Sequence, residues 1–458
     1  MATKKELIQA QQYSRRRLLT AFVSGAPGGK ELEPSKPLRA VVAGTSLSVL
    51  IIIGSLVFGL IKPGLPKGWD ANTLLIAKDS GARYVAINSV LYPVINTTSA
   101  QLVIPSESFK VLTVDQAKIA EVERGETIGI FGAPDSLPVP DRLISSGWAS
   151  CLDDTQHEKT ALLAGGYGAK PTQDFALVSH DQLQYVIADG HRYLVSGATV
   201  SAVLRALGLT TTSPVEVTAT WLNLFTPGSD LVPLYIPEAG GDLPQVSGSS
   251  MTGLRVGSVV RTEGQQDNQR YVLDAAGKLA PLTPLAYELY LLGTGADLGE
   301  QVDVSAAQLN RIGNADYPAA PEDWPSSTSP ALDIATTGAC AVLETSDGAA
   351  PRVSLATPLD ATEFTEQVAG VTVSPAGGAL VRAINEGATN KGNTFIIGSS
   401  GSAFPVPGAD DEILARLGYT MTDRVDVPQT WLSLFPQGPR LTEEAAGSPP
   451  ETLLAESR

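Results

Sequence analysis

The 458-residue sequence predicts an α+β protein: an N-terminal cytoplasmic helix, one transmembrane helix and a large extracytoplasmic part. The last is expected to hold about four strand–turn–strand–helix repeats around a central β-rich domain. Three observations predict this. Residues 40–61 (AVVAGTSLSVLIIIGSLVFGLI) carry no charged side chain. Two stretches 210 residues apart hold matching blocks in one register for more than 40 residues. Between the repeats, 121–150 and 335–380 belong to no copy and are rich in Val, Thr and Gly, a composition suited to a small β domain.

Residues 1–39 hold eight basic and three acidic groups, a net +5, so the remaining 419 residues carry −21 of the total −16. From Lys4 to Val23 there are good helix formers with no Gly or Pro, and the run stops at Gly25 and Pro27. Leu7, Ala10, Ser14, Leu18, Ala21 and Phe22 recur at three- and four-residue steps as a narrow apolar stripe, with Arg15, Arg16 and Arg17 extending to either side. Such a helix either lies on anionic headgroups or is covered by a partner. The charge-free run that follows would span about 33 Å as a helix, enough for a bilayer core. With the basic flank N-terminal, the positive-inside rule places 1–39 in the cytoplasm and 62–458 outside. A cleaved signal fits poorly, because the apolar run is too long and Lys62-Pro63-Gly64-Leu65-Pro66-Lys67 is no cleavage site. The twin-arginine look of Ser14-Arg15-Arg16-Arg17-Leu18-Leu19 stands twenty residues from the apolar stretch.

Outside the cytoplasm Cys151 and Cys340, the only two cysteines, are the one pair available for a disulfide; the alternative is two buried thiols. A bridge makes everything between them an excursion from one central body. In the 210-residue register Tyr185-Val186-Ile187 meets Phe395-Ile396-Ile397, Leu207-Gly208 meets Leu417-Gly418, and Trp221-Leu222-Asn223-Leu224-Phe225 meets Trp431-Leu432-Ser433-Leu434-Phe435. Weaker copies begin at Arg83-Tyr84-Val85 and Arg270-Tyr271-Val272. Asp189-Gly190 suits a type I′ hairpin. Asp410, Asp411 and Glu412 open a helix that Arg416 and Gly418 close, with Leu414 and Leu417 on its inner face. The expected divisions are 68–112 for repeat 1, 113–160 with 335–380 for the central domain, and 175–235, 255–315 and 381–441 for repeats 2, 3 and 4. Turn-rich loops at 236–250 and 316–332 separate units, and 442–458 reads as an acidic, loose tail.

These residues carry a resemblance. Tyr13 with Arg15-Arg16-Arg17-Leu18-Leu19, then Pro37-Leu38-Arg39-Ala40, resembles the start of the EccB family, a membrane component of actinobacterial type VII (ESX) secretion systems. Leu91-Tyr92-Pro93-Val94-Ile95-Asn96 with Ser99-Ala100-Gln101-Leu102, and Ile130-Phe131-Gly132-Ala133-Pro134-Asp135-Ser136-Leu137-Pro138 before Trp148 and Cys151, resemble its next blocks. The resemblance implies a single-span subunit of the inner (plasma) membrane with an elongated periplasmic part. It also implies the partners EccC, EccD and EccE in a pore complex. Leu7, Tyr13, Arg15, Arg16, Arg17, Leu18 and Phe22 are then the candidate partner-binding residues. An anchored cell-wall-binding module or enzyme is the alternative class.

Some family members are named ATPases, which makes ATP a cofactor by family label only. The residues predict none. The nearest approach to a P-loop, Gly25-Ala26-Pro27-Gly28-Gly29-Lys30-Glu31, has the wrong spacing and a Glu where the Mg²⁺-binding hydroxyl belongs. The GxG-like run Gly293-Thr294-Gly295 follows a helix rather than a strand and reads as a loop. Three His and two Cys exclude zinc fingers and iron–sulfur clusters, and the acidity excludes general nucleic-acid binding. His157, His180 and His191 have no metal-ligand spacing, and Asp153-Asp154 reads as a solvated loop. Trp221 and Trp431 are expected to pack in the core, on strand-like alternation with their Leu and Phe neighbours, rather than to stack on sugar.

Overall fold

The computed structural model describes residues 3–24, 37–60, 65–152, 158–162, 168–244, 253–263, 269–346, 348–359, 370–385 and 392–450. The chain divides into two compact units, Met1–Leu65 and Pro66–Arg458.

The first unit is two helices, α1 (Lys4–Ser24) and α2 (Pro37–Leu60). Glu6 caps α1 by accepting the Thr3 amide at 2.8 Å, a bond that holds its carboxyl below the usual range. Within α2 the few hydroxyls bond carbonyls one turn back: Thr45 to Val41, Ser46 to Val42, Ser48 to Gly44, Ser55 to Ile52. They therefore add little polarity to the surface of the helix. Among the described residues no helix is long and apolar enough to cross a membrane. The uncharged described side chains of α2 run from 40 to 56, about 26 Å of helix against a hydrocarbon core of about 30 Å.

The second unit repeats one small motif. Repeat 1 has β1 (Thr73–Ala77), β2 (Arg83–Ile87), β3 (Val90–Pro93), α3 (Thr97–Val103) and β4 (Lys110–Val114), in the sheet order β3-β2-β1-β4. The expected strand–turn–strand–helix needs correcting at both ends. A strand precedes the hairpin, and a further strand returns after the helix to lie parallel to it, Leu74 beside Val111. A two-stranded hairpin is too small to hold a core, and the two extra strands supply the face. The central sheet begins with β5 (Trp148–Leu152), β6 (Glu158–Leu162) and β7 (Ala169–Pro171). Repeat 2 has β8 (Ala176–His180), β9 (Leu183–Ala188), β10 (His191–Val195), α4 (Val200–Ala206), β11 (Val215–Glu216), α5 (Ala219–Leu222) and β12 (Thr226–Pro227). Its β9–β10 turn has Asp189 and Gly190 both at positive φ, 49° and 78°, as a type I′ turn requires.

Repeat 3 comprises β13 (Val259–Thr262), β14 (Arg270–Leu273), β15 (Leu279–Leu282), α6 (Pro284–Leu292), α7 (Gly295–Leu298), β16 (Gln301–Val304) and α8 (Ala306–Ile312). The chain returns through α9 (Ile334–Thr337) to the central sheet as β17 (Ala339–Glu344), β18 (Arg352–Pro358) and β19 (Gly370–Val373). Repeat 4 follows with β20 (Ala379–Ile384), β21 (Gly392–Ile397), β22 (Ala403–Val406), α10 (Asp411–Arg416), β23 (Val425–Pro428) and α11 (Gln429–Leu432), and then comes α12 (Glu443–Ala446). The chain order is thus repeat, half-sheet, repeat, taken twice.

The central sheet runs β19-β6-β5-β17-β18-β7. Its two chain segments meet at the antiparallel β5–β17 pair, where Cys151 stands directly opposite Cys340, and interleave further as β7 pairs with β18 and β19 with β6. Side chains alternate between faces with period two. Trp148, Leu152, Ala339, Ala341 and Leu343 enter the main core, while Ala149, Cys151, Cys340 and Val342 form a small cluster on the other face. Repeats 2 and 4 pack on the first face through Val178, Ile187, Trp221 and Phe225, and Val381, Ile397, Trp431 and Phe435. Repeat 3 joins repeat 2, with Val203 and Leu207 meeting Leu285 and Leu289, and repeat 1 joins repeat 4 through Leu102.

Two further expectations are corrected. Both tryptophans are fully buried, but on the one-turn helices α5 and α11 rather than on strands. The tail is not loose from 442 to 450: Thr442 caps α12 by accepting the Ala445 amide, and Ala446 is fully buried.

Candidate functional site

On α1 every candidate side chain faces solvent: Leu7, Tyr13, Leu18 and Phe22 are exposed, Phe22 at 92%, as are Arg15, Arg16 and Arg17. The apolar face is wider than the expected stripe. Ile8, Leu19 and Val23 are also exposed, and at 100° per residue they extend the arc of Leu7, Leu18 and Phe22 to about 160°. The spacing 8, 19, 23 was the available signal. Tyr13, Arg16 and Arg17 lie off this arc, and Arg15 lies within it.

In the second unit the two sequence blocks of repeat 1 turn out to be partners. Asn96, 5% exposed, caps α3 by accepting the Ser99 amide at 2.9 Å and donates its own amide to the Ile130 carbonyl at 2.8 Å. Ser99 accepts the Ile130 amide at 2.9 Å, and Thr98 donates to the Pro134 carbonyl at 2.6 Å. Arg83 pairs with Asp135 at 2.5 Å, while Asp135 accepts the Thr97 amide at 3.2 Å. The helix start thus holds the 130–135 linker by its backbone, beside a shallow cavity of about 370 Å³ edged by the exposed Phe131. Cys151 and Cys340 form a disulfide with Cα atoms 4.0 Å apart, the direct result of their opposed positions on β5 and β17. A recurring pair escaped the sequence. Arg261 on β13 and Asp303 on β16, and Arg382 on β20 and Asp426 on β23, occupy equivalent parallel registers in repeats 3 and 4. Arg382 is held by two bonds of 2.6 Å, which raise its pKa. Partners more than 40 residues apart leave no local pattern.

The chemistry is that of joints. Ser229, Asp323 and His191 gather at one place, but Ser229 donates its hydroxyl to Asp323 at 2.9 Å while His191 Nδ1 faces the Asp189 carbonyl. The carboxylate therefore holds the serine, not the histidine, and no nucleophile–base relay results. Asp323 clamps the return segment onto repeat 2, accepting the Ser229 amide at 2.6 Å while its own carbonyl accepts the Tyr193 hydroxyl. Among the described residues no group of His, Cys, Asp and Glu is placed to hold a metal. The run after Gly293 is the one-turn α7 rather than a loop, and its glycines serve close packing: a Cβ on Gly293 would lie 2.1 Å from the Leu234 carbonyl oxygen. The 25–31 run, 62–64, Asp153, Asp154, His157 and 451–458 lie outside the described residues. A cleft of about 530 Å³ opens between repeats 2 and 4, with Phe225, Val353 and Ile384 along it.

The family model described as "Type VII secretion system ESX-1, transport TM domain B" (EccB) matches residues 1–454. The chain belongs to the EccB family. It is therefore a membrane-associated structural component of a type VII secretion system. The EccB chain is 27% identical over 443 residues to the ESX-3 secretion system ATPase EccB3 of Mycolicibacterium smegmatis, covering 88% of this chain and 82% of the relative. It is 26% identical over 471 residues to the ESX-5 secretion system ATPase EccB5 of Mycobacterium tuberculosis, covering 92% and 89%. Its fold is similar to that of a chain in an intact ESX-5 inner membrane complex, with a TM-score of 0.65 at 24% identity over 99% of this chain and 96% of that one. It is equally similar, with a TM-score of 0.65 at 24% identity, to a chain of an EccB3 dimer from the ESX-3 core complex, covering 82% and 99%.

Proposed function

We propose that this EccB chain is a single-pass subunit of a type VII secretion core complex in the inner membrane, with α1 cytoplasmic, α2 crossing the bilayer and the second unit periplasmic. The observation that carries the reading is the charge pattern, +5 before an uncharged 22-residue run and −21 after the N-terminal segment. The Cys151–Cys340 bond suits an oxidising compartment on that same side. Its partners are EccC, EccD, EccE and further copies of itself; the solved neighbours, an ESX-5 inner membrane complex and an EccB3 dimer, support assembly of this kind. The exposed apolar arc of α1 is the cytoplasmic joining surface, because a helix with that much exposed apolar area gains by being covered. The subunit works by joining rather than by nucleotide chemistry, and it uses no cofactor. The cell-wall-binding alternative loses its best stacking side chains, Trp221 and Trp431, to the core.

The test is Leu18→Asp with Phe22→Asp. Two carboxylates on the arc should leave membrane insertion intact, since 40–61 is untouched, and reduce co-purifying EccC and EccD at least tenfold in detergent pull-downs. A reporter at Arg458 should be accessible in intact cells and one at Met1 should not, and the purified chain should hydrolyse ATP no faster than buffer. Partners that stay bound would make α1 a lipid-surface element, and the opposite reporter pattern would overturn the topology.

A further inference from the structure

The direct contact between repeats 1 and 4 is narrow. From repeat 1 itself Leu102, with Val103 half-buried beside it, enters the cluster of Leu380, Ile396, Phe404, Leu414 and Leu417, residues 106–108 lie against α10, and the linker bound by Asn96 and Ser99 adds Ile130. The segment 441–450 widens it. Leu441 and Ala446, both fully buried, enter the same cluster, and α12 lies against α3. The Leu441 amide donates to the Pro405 carbonyl at 2.8 Å on the repeat 4 side, and the Gly129 amide donates to the Ser448 carbonyl at 3.1 Å on the repeat 1 side. Arg416, its side chain 10% exposed, sits where the three pieces meet. It donates to the Leu102 carbonyl at 2.7 Å and to Glu412 at 2.6 Å, and it pairs with Glu443 of α12 at 3.1 Å. One cation thus serves the carbonyl end of α3, where positive charge is favoured, and two carboxylates.

The other half of the molecule has the counterpart. Leu231, 210 residues before Leu441, is also fully buried. Beyond it the Leu234 amide donates to the Leu289 carbonyl and the Ile236 amide to the Thr294 hydroxyl, so this segment crosses from repeat 2 to repeat 3. There the chain continues into repeat 3, and covalent linkage keeps the segment in place. The segment 441–450 is held against repeats 1 and 4 by the buried side chains, backbone bonds and Arg416 pairing given above. Repeat 1 has its own small core, Leu74, Val85, Val94, Ala100, Ile104 and Ile128, to which the segment contributes nothing.

We propose that residues 441–450 form a detachable strap that locks repeat 1 onto repeat 4, so that its release frees repeat 1 as a folded body while the rest of the unit stays intact. Repeat 1 is the repeat next in sequence to the N-terminal helices. The strap therefore decides whether a displacement of that end of the chain reaches repeat 4.

The test is amide hydrogen exchange on the full chain in detergent, comparing the native protein with a chain ending at Leu441 and with full-length Ala446→Asp. Both changes should speed exchange at least tenfold in the last turn of α3 and in 413–419. Exchange in β2, inside repeat 1, and in α6, at the repeat 2–repeat 3 joint, should be unchanged. Spin labels at Thr113 and Thr422 should report a distance distribution at least twice as broad in each variant. Unchanged exchange and distances in both variants would overturn the proposal. If the shortened chain loses protection throughout, Ala446→Asp decides: local loss supports the strap, whereas no loss or general loss makes the segment an ordinary part of one core and overturns it.

Discussion

Replacing both Cys151 and Cys340 by Ala removes one covalent bond and leaves every strand pairing available. The disulfide closes a sequence separation of 189 residues, and everything in repeats 2 and 3 lies inside that loop. In the chain-entropy description, closing a loop of this length removes about 18 cal/mol/K from the unfolded chain, or about 5 kcal/mol at 25 °C. The folded state loses only two buried sulfur atoms in a cluster of Ala149, Val342 and Ala356, and the five registered pairs of β5 with β17 persist. The effect therefore resides chiefly in the unfolded state. If the core on the central sheet melts as a unit of about 150–250 residues, 5 kcal/mol lowers its midpoint by roughly 10–20 °C. Differential scanning calorimetry of residues 68–458 measures this, with non-reducing peptide mapping of the native protein to establish the bond. A shift below about 3 °C, or native thiols that both react with a maleimide, would refute the reasoning: the excursion would then be closed in the unfolded ensemble by something other than this bond.

Two smaller perturbations separate features that look equivalent. The Trp221 indole donates to the Ser150 carbonyl at 3.0 Å, while the buried Trp431 indole nitrogen has no hydrogen-bond partner among the described residues. Trp221→Phe strands a buried acceptor and should cost about 1–2 kcal/mol more in urea melts than Trp431→Phe; equal costs would refute the assignment. Burial pushes the Asp323 carboxyl up, but the Ser229 amide and hydroxyl, with its own amide and His191, bring it below its usual 3.8. The charged clamp thus contributes stability above the unfolded value and loses it as pH falls through the lower folded one. Ser229→Ala should move the Asp323 titration, followed by carboxyl-carbon NMR, to higher pH and bring the acid loss of stability with it; an unmoved titration would show that the hydroxyl contributes nothing.

What could be read along the chain was whatever a local pattern encodes. A run of 22 uncharged residues with basic residues before it is a linear signal, and so is a register of 210. Asp189-Gly190 is a turn that its own two residues dictate, since both must adopt positive φ. The exposed Ile8, Leu19 and Val23 of α1 are spaced in the sequence as locally as Leu18 and Phe22. The extra strands of each repeat were harder. β11 and β23 are two and four residues long, β-structured chiefly because a first strand lies beside them to accept their backbone groups.

The sequence by itself determined the helical N-terminal segment, the copy number of the motif, and the pair of cysteines that had no other partner. Only tertiary structure decided which copies touch. Repeat 1 joins repeat 4 and repeat 2 joins repeat 3, because each small sheet leaves a helix face that a neighbour must cover, and the closure of β5 on β17 brings distant repeats within reach. It also turned an acidic, Pro-containing end into a packed strap. Ala446 carries no hydrophobic pattern in its own neighbourhood, and it is buried in one cluster with Leu102 and Leu414, each supplied by a different repeat.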